Sequence, residues 1–123
     1  MTNKEGETVI PENALTDLAV DVWKLTRLCE RVIDKLDAGD KLRYASQLRY
    51  LQTRLSSQLA DSGLSVVSLD GHPCEEGMAA TVLNLDEFTP EEVLVVAQTV
   101  EPVVMGREGL RKQGTVLARR AAV

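Results

Sequence analysis

Apolar residues at Leu15, Leu18, Val22, Leu25, Cys29, Val32 and Leu36 recur at alternating intervals of three and four. A helix turns once in about 3.6 residues, so this spacing collects them on one stripe. Three heptads of it predict an amphipathic helix that pairs with others in a coiled coil or bundle. Pro11, Glu12 and Asn13 read as the helix start: proline suits a first turn, asparagine can cap it, and an early acid meets the positive end of the helix dipole. The stripe fails at Asp37-Ala38-Gly39-Asp40, where continuing it would put Gly39 and Arg43 at core positions. A second stripe, Leu42, Ala45, Leu48, Leu51, Leu55 and Leu59, follows. With Gly39 as a stop and Asp40 as a start, the segment reads as two helices, 12–38 and 40–61, joined by a tight link. The rival reading is one long helix with a slip in register.

Such a hairpin is apolar on one side and leaves that stripe open; two hairpins together close a four-helix bundle. Composition points the same way. Aromatic residues make up 3% of the chain, namely Trp23, Tyr44, Tyr50 and Phe88, so the core rests on Leu, Val and Ala and is thin for a chain of this size. A homodimer through the helical half is expected, with Leu18, Val22, Leu25 and Val32 as its contact residues.

After Asp61-Ser62-Gly63, a C-terminal helix signal, residue preferences shift to alternating and β-branched types. Strands are expected at 64–69, ended by the Asp70-Gly71 turn, at 78–84, from Val93 to about Met105 with Pro102 as a bend, and at 114–118. Thr89-x-x-Glu92 has the form of a capping box and fits one helical turn. Gly106 to Gly109 reads as a turn. The expected organisation is a flexible lead-in over 1–10, a helical dimerisation region over 11–62 and a small β domain over 63–123. The fold class is α+β: N-terminal dimerising helices, as a hairpin or coiled coil, followed by a small all-β domain of sandwich or open-barrel type.

Charge and chemistry narrow the function. The net charge of −5 argues against nucleic acid, whose binders carry a basic footprint. No apolar run reaches the roughly 20 residues that cross a bilayer, and the polar, acidic N-terminus does not resemble a targeting sequence, so a cytoplasmic protein is expected. Cys29 and Cys74 then read as reduced thiols. His72 is the only histidine, which removes two-histidine metal motifs and most general-base designs. His72 and Cys74 flank Pro73 on one side of an extended segment, so either a thiolate–imidazole pair or an inert turn fits them. Gly106, Gly109 and Gly114 lack the Lys-Ser/Thr of a phosphate loop. No enzyme, cofactor or metal is expected. Asp70, Glu75, Glu76, Asp86, Glu87, Glu91, Glu92 and Glu101 form an acidic stretch without Lys or Arg, read as a solvated surface or as a docking face for a basic patch. Lys41, Arg43, Arg49 and Arg54 of the second helix read as a solvated face or as pairs for Asp17, Asp21 and Asp34.

The segment from Asp70 to Val82, with its acidic proline-containing turn and small-residue strand, resembles the opening of the β domain in GrpE-type nucleotide exchange factors. Val100 to Val104 and Lys112 to Val123, where a glycine precedes a Val-Leu strand ending in a basic and a small residue, are similar to that family's closing hairpin. The family's aromatic-Asp-Pro turn stands here as Cys74-Glu75-Glu76, its His-Glu-Ala segment as Gly77-Met78-Ala79, and its long N-terminal helix is shortened. The resemblance covers 64–123 by motif and the rest by order of parts. It implies a dimer that docks its β domain on a DnaK-type chaperone ATPase and promotes ADP release. Glu75, Glu76 and Met78 on one side, and Arg107, Glu108 and Arg111 near the hairpin turn, are then the expected contacts. The alternative is a dimeric adaptor that tethers a protein partner without acting on nucleotide.

Overall fold

In the computed structural model, residues 12–121 are described; the expected lead-in over 1–10 and the proposed first-turn role of Pro11 lie outside them. The chain forms two helices, α1 (Glu12–Ile33) and α2 (Ala38–Asp61), then six strands: β1 (Ser65–Val67), β2 (Ala80–Val82), β3 (Leu94–Glu101), β4 (Val103–Gly106), β5 (Gly109–Lys112) and β6 (Gly114–Arg120). A single 3-10 turn, Leu85–Glu87, stands between β2 and β3. The helical half is therefore a hairpin and not one long helix. Its link falls earlier than expected: α1 ends at Ile33, and Asp37, not Asp40, is the N-cap of α2, accepting the Asp40 N–H at 3.0 Å. Asn13 lies inside α1 and does not cap it.

The helices run antiparallel, with Lys41 beside Asp34 at 3.7 Å and Gln52 donating to Glu30 at 3.1 Å. This Lys41–Asp34 pair is the expected cross-helix kind, whereas Asp17 pairs with Lys112 of the β domain at 3.6 Å. The end of α2 is closed by a Schellman motif. Gly63 takes φ +83, its N–H donates to Ala60 O, and the Leu64 N–H donates to Leu59 O. Leu59 and Leu64 pack together there with Leu15, Val20 and Val104, which joins the hairpin to the β domain.

The strands form two three-stranded sheets, β1-β4-β5 (sheet A) and β2-β6-β3 (sheet B). Sheet A is antiparallel; in sheet B, β2 pairs parallel with β6 and β3 antiparallel with it. The expected single strand over 93–105 is instead two strands in different sheets, because Pro102, buried and without an N–H, breaks the ladder between them. The returning strands change sheets at the same place. Gly114 opens β6 against that corner, so close that a Cβ on it would lie 2.6 Å from Glu101 O. Residues 109–112, not expected as a strand, form β5, the hairpin partner of β4.

Successive side chains on a strand point to opposite faces. On β4 both faces are covered: Val104 packs under the hairpin with Val20 and Leu64, and Val103 is buried on the other side. On sheet B, Leu94, Val96, Val116 and Ala118 are buried and fill its inner face. The hairpin packs on β1 and β4. Among the described residues, no helix is long and apolar enough to cross a membrane.

Candidate partner-docking surfaces

The acidic turn predicted as a contact is built from Asp70 onward. Asp70 Oδ1 accepts the Thr99 N–H at 2.7 Å, and its Oδ2 accepts from Arg27 Nη2 of α1 at 2.6 Å. Burial pushes its carboxyl up, but the bonds from Thr99 and Arg27 outweigh this and hold it below the usual range. Thr99 Oγ1 in turn accepts the Leu69 N–H at 2.9 Å. Beyond Asp70 the chain runs along the free edge of β3: the Gly71 N–H donates to Val96 O, Val96 N–H to His72 O, and Cys74 N–H to Leu94 O, all within 2.8–2.9 Å. Pro73, opposite Val95, suits such an edge because it has no donor to offer. Gly77, at φ +85, then reverses the chain, with the Met78 N–H donating to Glu75 O. Glu75 and Glu76 stand exposed on this turn and Met78 is half-buried. Cys74 is half-buried, and burial raises its thiol pKa, which disfavours the thiolate a nucleophile needs.

Three members of the acidic stretch are occupied within the chain. Asp70 binds Arg27, Glu101 binds Lys24 at 2.8 Å, and Glu92 binds Arg120, which also stacks on Phe88. The bond from Lys24 holds the Glu101 carboxyl low. The Thr89-x-x-Glu92 box forms half of its expected pattern: Glu92 reaches back to the Thr89 N–H at 2.8 Å, but only a turn follows.

The outer face of sheet B is a surface the residue pattern did not single out. Val95 lies opposite Arg119 and Gln98 opposite Leu117, while Val82 lies beside Val116. With Val96, Val116 and Ala118 turned inward, alternation turns Leu83, Leu117, Val95, Val93 and Arg119 outward. Leu83 and Val93 are more than half exposed. Arg119 is exposed in their midst, donating among the described residues only to the carbonyl of Arg120. Glu75 and Glu76 border this face, one strand beyond Val95. An apolar platform with a central guanidinium suits a protein surface that brings apolar side chains and a carboxylate. The alternation in 114–120 and 93–96 is visible in the sequence; which side would be covered is not.

The second predicted set lies elsewhere, past the Pro102 corner at the β4–β5 turn. Arg107, Glu108 and Arg111 line a groove of about 420 Å³ with Gly63, Leu64 and Leu110. Arg107 has a structural task there: it donates to Asp61 O at 3.3 Å, at the C-terminal end of α2, with its stem against Gly63. A cation at that end meets the negative pole of the helix.

The heptad residues divide. Leu15, Val22, Cys29 and Leu36 are half-buried, with Val22 lining the space between the helices beside Leu55 and Leu59. Leu18, Leu25 and Val32, joined by Leu28, are more than half exposed. Leu18 is two residues from Thr16 and Val20, and Leu25 two from Trp23 and Arg27. At about 100° per residue they point roughly 200° away from the side that meets the sheets. On α2, Leu42 and Leu51, expected in the stripe, are exposed as well, together with Tyr44 and Tyr50. No residue of α2 is buried.

No protein-family model, curated protein or solved structure matches the chain.

Proposed function

We propose that this chain is a GrpE-like nucleotide exchange factor, a dimer that docks its β domain on a DnaK-type chaperone ATPase and speeds ADP release. The observation that carries the reading is the outer face of sheet B. It is a largely apolar surface that carries the exposed Arg119 and is bordered by the turn with Glu75 and Glu76. The order of parts, helices first and β domain last, supports it, as does the resemblance of 64–123. The mechanism is population shift: a factor that binds the open-cleft state of the ATPase better than the closed one raises the open fraction, and ADP leaves faster. No side chain of the factor has to touch nucleotide.

The stripe Leu18, Leu25, Leu28 and Val32 supports the dimer. These are large apolar side chains on one side of a helix, left uncovered by the chain's own hairpin, and a second hairpin laid against them makes a four-helix bundle. Leu25→Asp should halve the sedimenting mass, because a charge in that contact is costly to bury.

The docking test is release of a fluorescent ADP from a DnaK-type ATPase. Wild type should accelerate release. Arg119→Glu, and separately reversal of Glu75 and Glu76 together, should weaken binding and slow release, with circular dichroism and dimer mass unchanged. Variants that bind and exchange like wild type would place the contact on another surface. A wild type that binds the ATPase without accelerating release would favour the adaptor.

A further inference from the structure

The segment that carries Glu75 and Glu76 is held at two points, and one of them belongs to the helical half. At one point the strip 71–74 lies along β3. At the other, Arg27 of α1 spans to Asp70 with its guanidinium 4.6 Å from the centre of the Trp23 ring, and it also reaches Ser68 Oγ at 3.3 Å. Thr99, only 3% exposed, ties the same carboxylate to the middle of β3. The order along this line is therefore α1, Arg27, Asp70, Thr99 and β3, with the docking turn beginning where the line ends.

We propose that Arg27 is a positioning residue that fixes segment 68–76 on β3 and makes its placement depend on α1. Each partner in the line is specific. Asp70 needs both acceptor oxygens, one for Thr99 and one for Arg27. The planar guanidinium lies against an aromatic face and donates to two oxygens, which an ammonium does less well. With Arg27 removed, Asp70 Oδ2 loses its donor and the tie to α1 is gone, leaving the segment held by β3 alone, through Thr99 and three backbone bonds at the sheet edge. Edge segments of this kind open by local fluctuation. Leu25 and Leu28, on the face proposed to meet a second copy, lie on the same two turns of α1 as Arg27. A change in how α1 packs against that copy thus reaches the docking turn through one side chain, and by linkage docking acts back on the dimer. This regulatory part rests on the docking function proposed above.

The test separates the two. Amide hydrogen exchange is measured on the full chain at Gly71, Cys74 and Val96, with Leu83 and Gly114 as references inside sheet B. Arg27→Gln and Asp70→Asn should each speed exchange at Gly71 and Cys74 by at least about tenfold, the order expected for losing a bond to a charged group. The double variant should exchange like Arg27→Gln alone, since that change already removes the bond to Asp70 together with the weaker one to Ser68. Arg27→Lys should lie between, and the reference amides should not change. The same variants are titrated against the ADP-loaded DnaK-type ATPase, where affinity should fall while dimer mass stays. Unchanged exchange at Gly71 and Cys74 in Arg27→Gln, or additive effects of the two single changes, would overturn the positioning role even if binding falls. If exchange responds as stated but wild type binds no ATPase, the positioning role stands and the docking function falls.

Discussion

Gly114→Ala should cost this protein more than any other single methyl addition at a glycine of the β domain. A Cβ at Gly114 would lie 2.6 Å from Glu101 O, 3.1 Å from the Pro102 carbonyl carbon and 3.2 Å from Val103 N. An ordinary carbon–oxygen contact is about 3.3 Å or more, so the two chains must separate by roughly 0.7 Å. All three opposing atoms are backbone, and the residues flanking Pro102 are pinned, Glu101 by pairing with β6 and Val103 by pairing with β1, so no side chain can swing away. Overpacking usually costs about 1–3 kcal/mol, and a rigid backbone contact belongs at the upper end, about 3 kcal/mol. In a protein this size that lowers Tm by roughly 10–15 °C. Gly71→Ala is the comparison: its Cβ meets nothing within 4 Å, but its φ is +81, so it pays only the left-handed strain, about 1–2 kcal/mol. Urea unfolding followed by far-UV circular dichroism, at one fixed protein concentration because association shifts the midpoint, gives both values. The close crossing at Pro102 is refuted if Gly114→Ala unfolds within about 0.5 kcal/mol of wild type, or costs less than Gly71→Ala.

Thr16 is buried with its hydroxyl lacking a hydrogen-bond partner among the described residues; Thr16→Val should therefore stabilise by about 1 kcal/mol in the same assay, and destabilisation would refute the orphan hydroxyl. Asp37→Ala should cost about 1 kcal/mol through loss of the α2 N-cap, with the change in helical circular dichroism exceeding that in the β signals. Acid should weaken the fold through Asp70, Glu92 and Glu101, whose carboxyls are held below their ordinary values of 3.8 and 4.5. Because folding lowers these pKa values, their contribution is complete above about pH 4.5 and is lost as pH falls through the folded values. Asp70→Asn should flatten that acid limb in a pH series of urea midpoints.

The helices were legible because a 3.6-residue period is a local property, and the switch to β-branched residues after Gly63 marked the second half. The stripe itself could not show what covers it. Leu15, Val22 and Cys29 face the chain's own hairpin while Leu18, Leu25 and Val32 face outward, although all six share one spacing. Leu110-Arg111-Lys112 lacks a strand's apolar alternation, and β5 forms because the β4–β5 turn brings it alongside β4. The run from Val93 to Met105 reads as one strand because nothing local says that Pro102 hands it from one sheet to another. At the candidate site, Glu75 and Glu76 were visible as turn residues. The link from Arg27 to Asp70 spans forty-three positions, and Arg119 owes its setting to strands that are distant in sequence.

The strand that sheet B is built around, β6, is also the last of the six to leave the ribosome. Until it emerges, β2 has no neighbour to pair with in that sheet, and β3 can hold only the strip 71–74. The hairpin of 12–61 needs nothing downstream for its own helix-to-helix contacts. At about 5–20 residues per second, several seconds of synthesis separate a completed hairpin from a completed β domain. In that interval Val20 still lacks Leu64 and Val104, which cover it in the finished fold, so the emerging helices show more apolar surface during synthesis than after it.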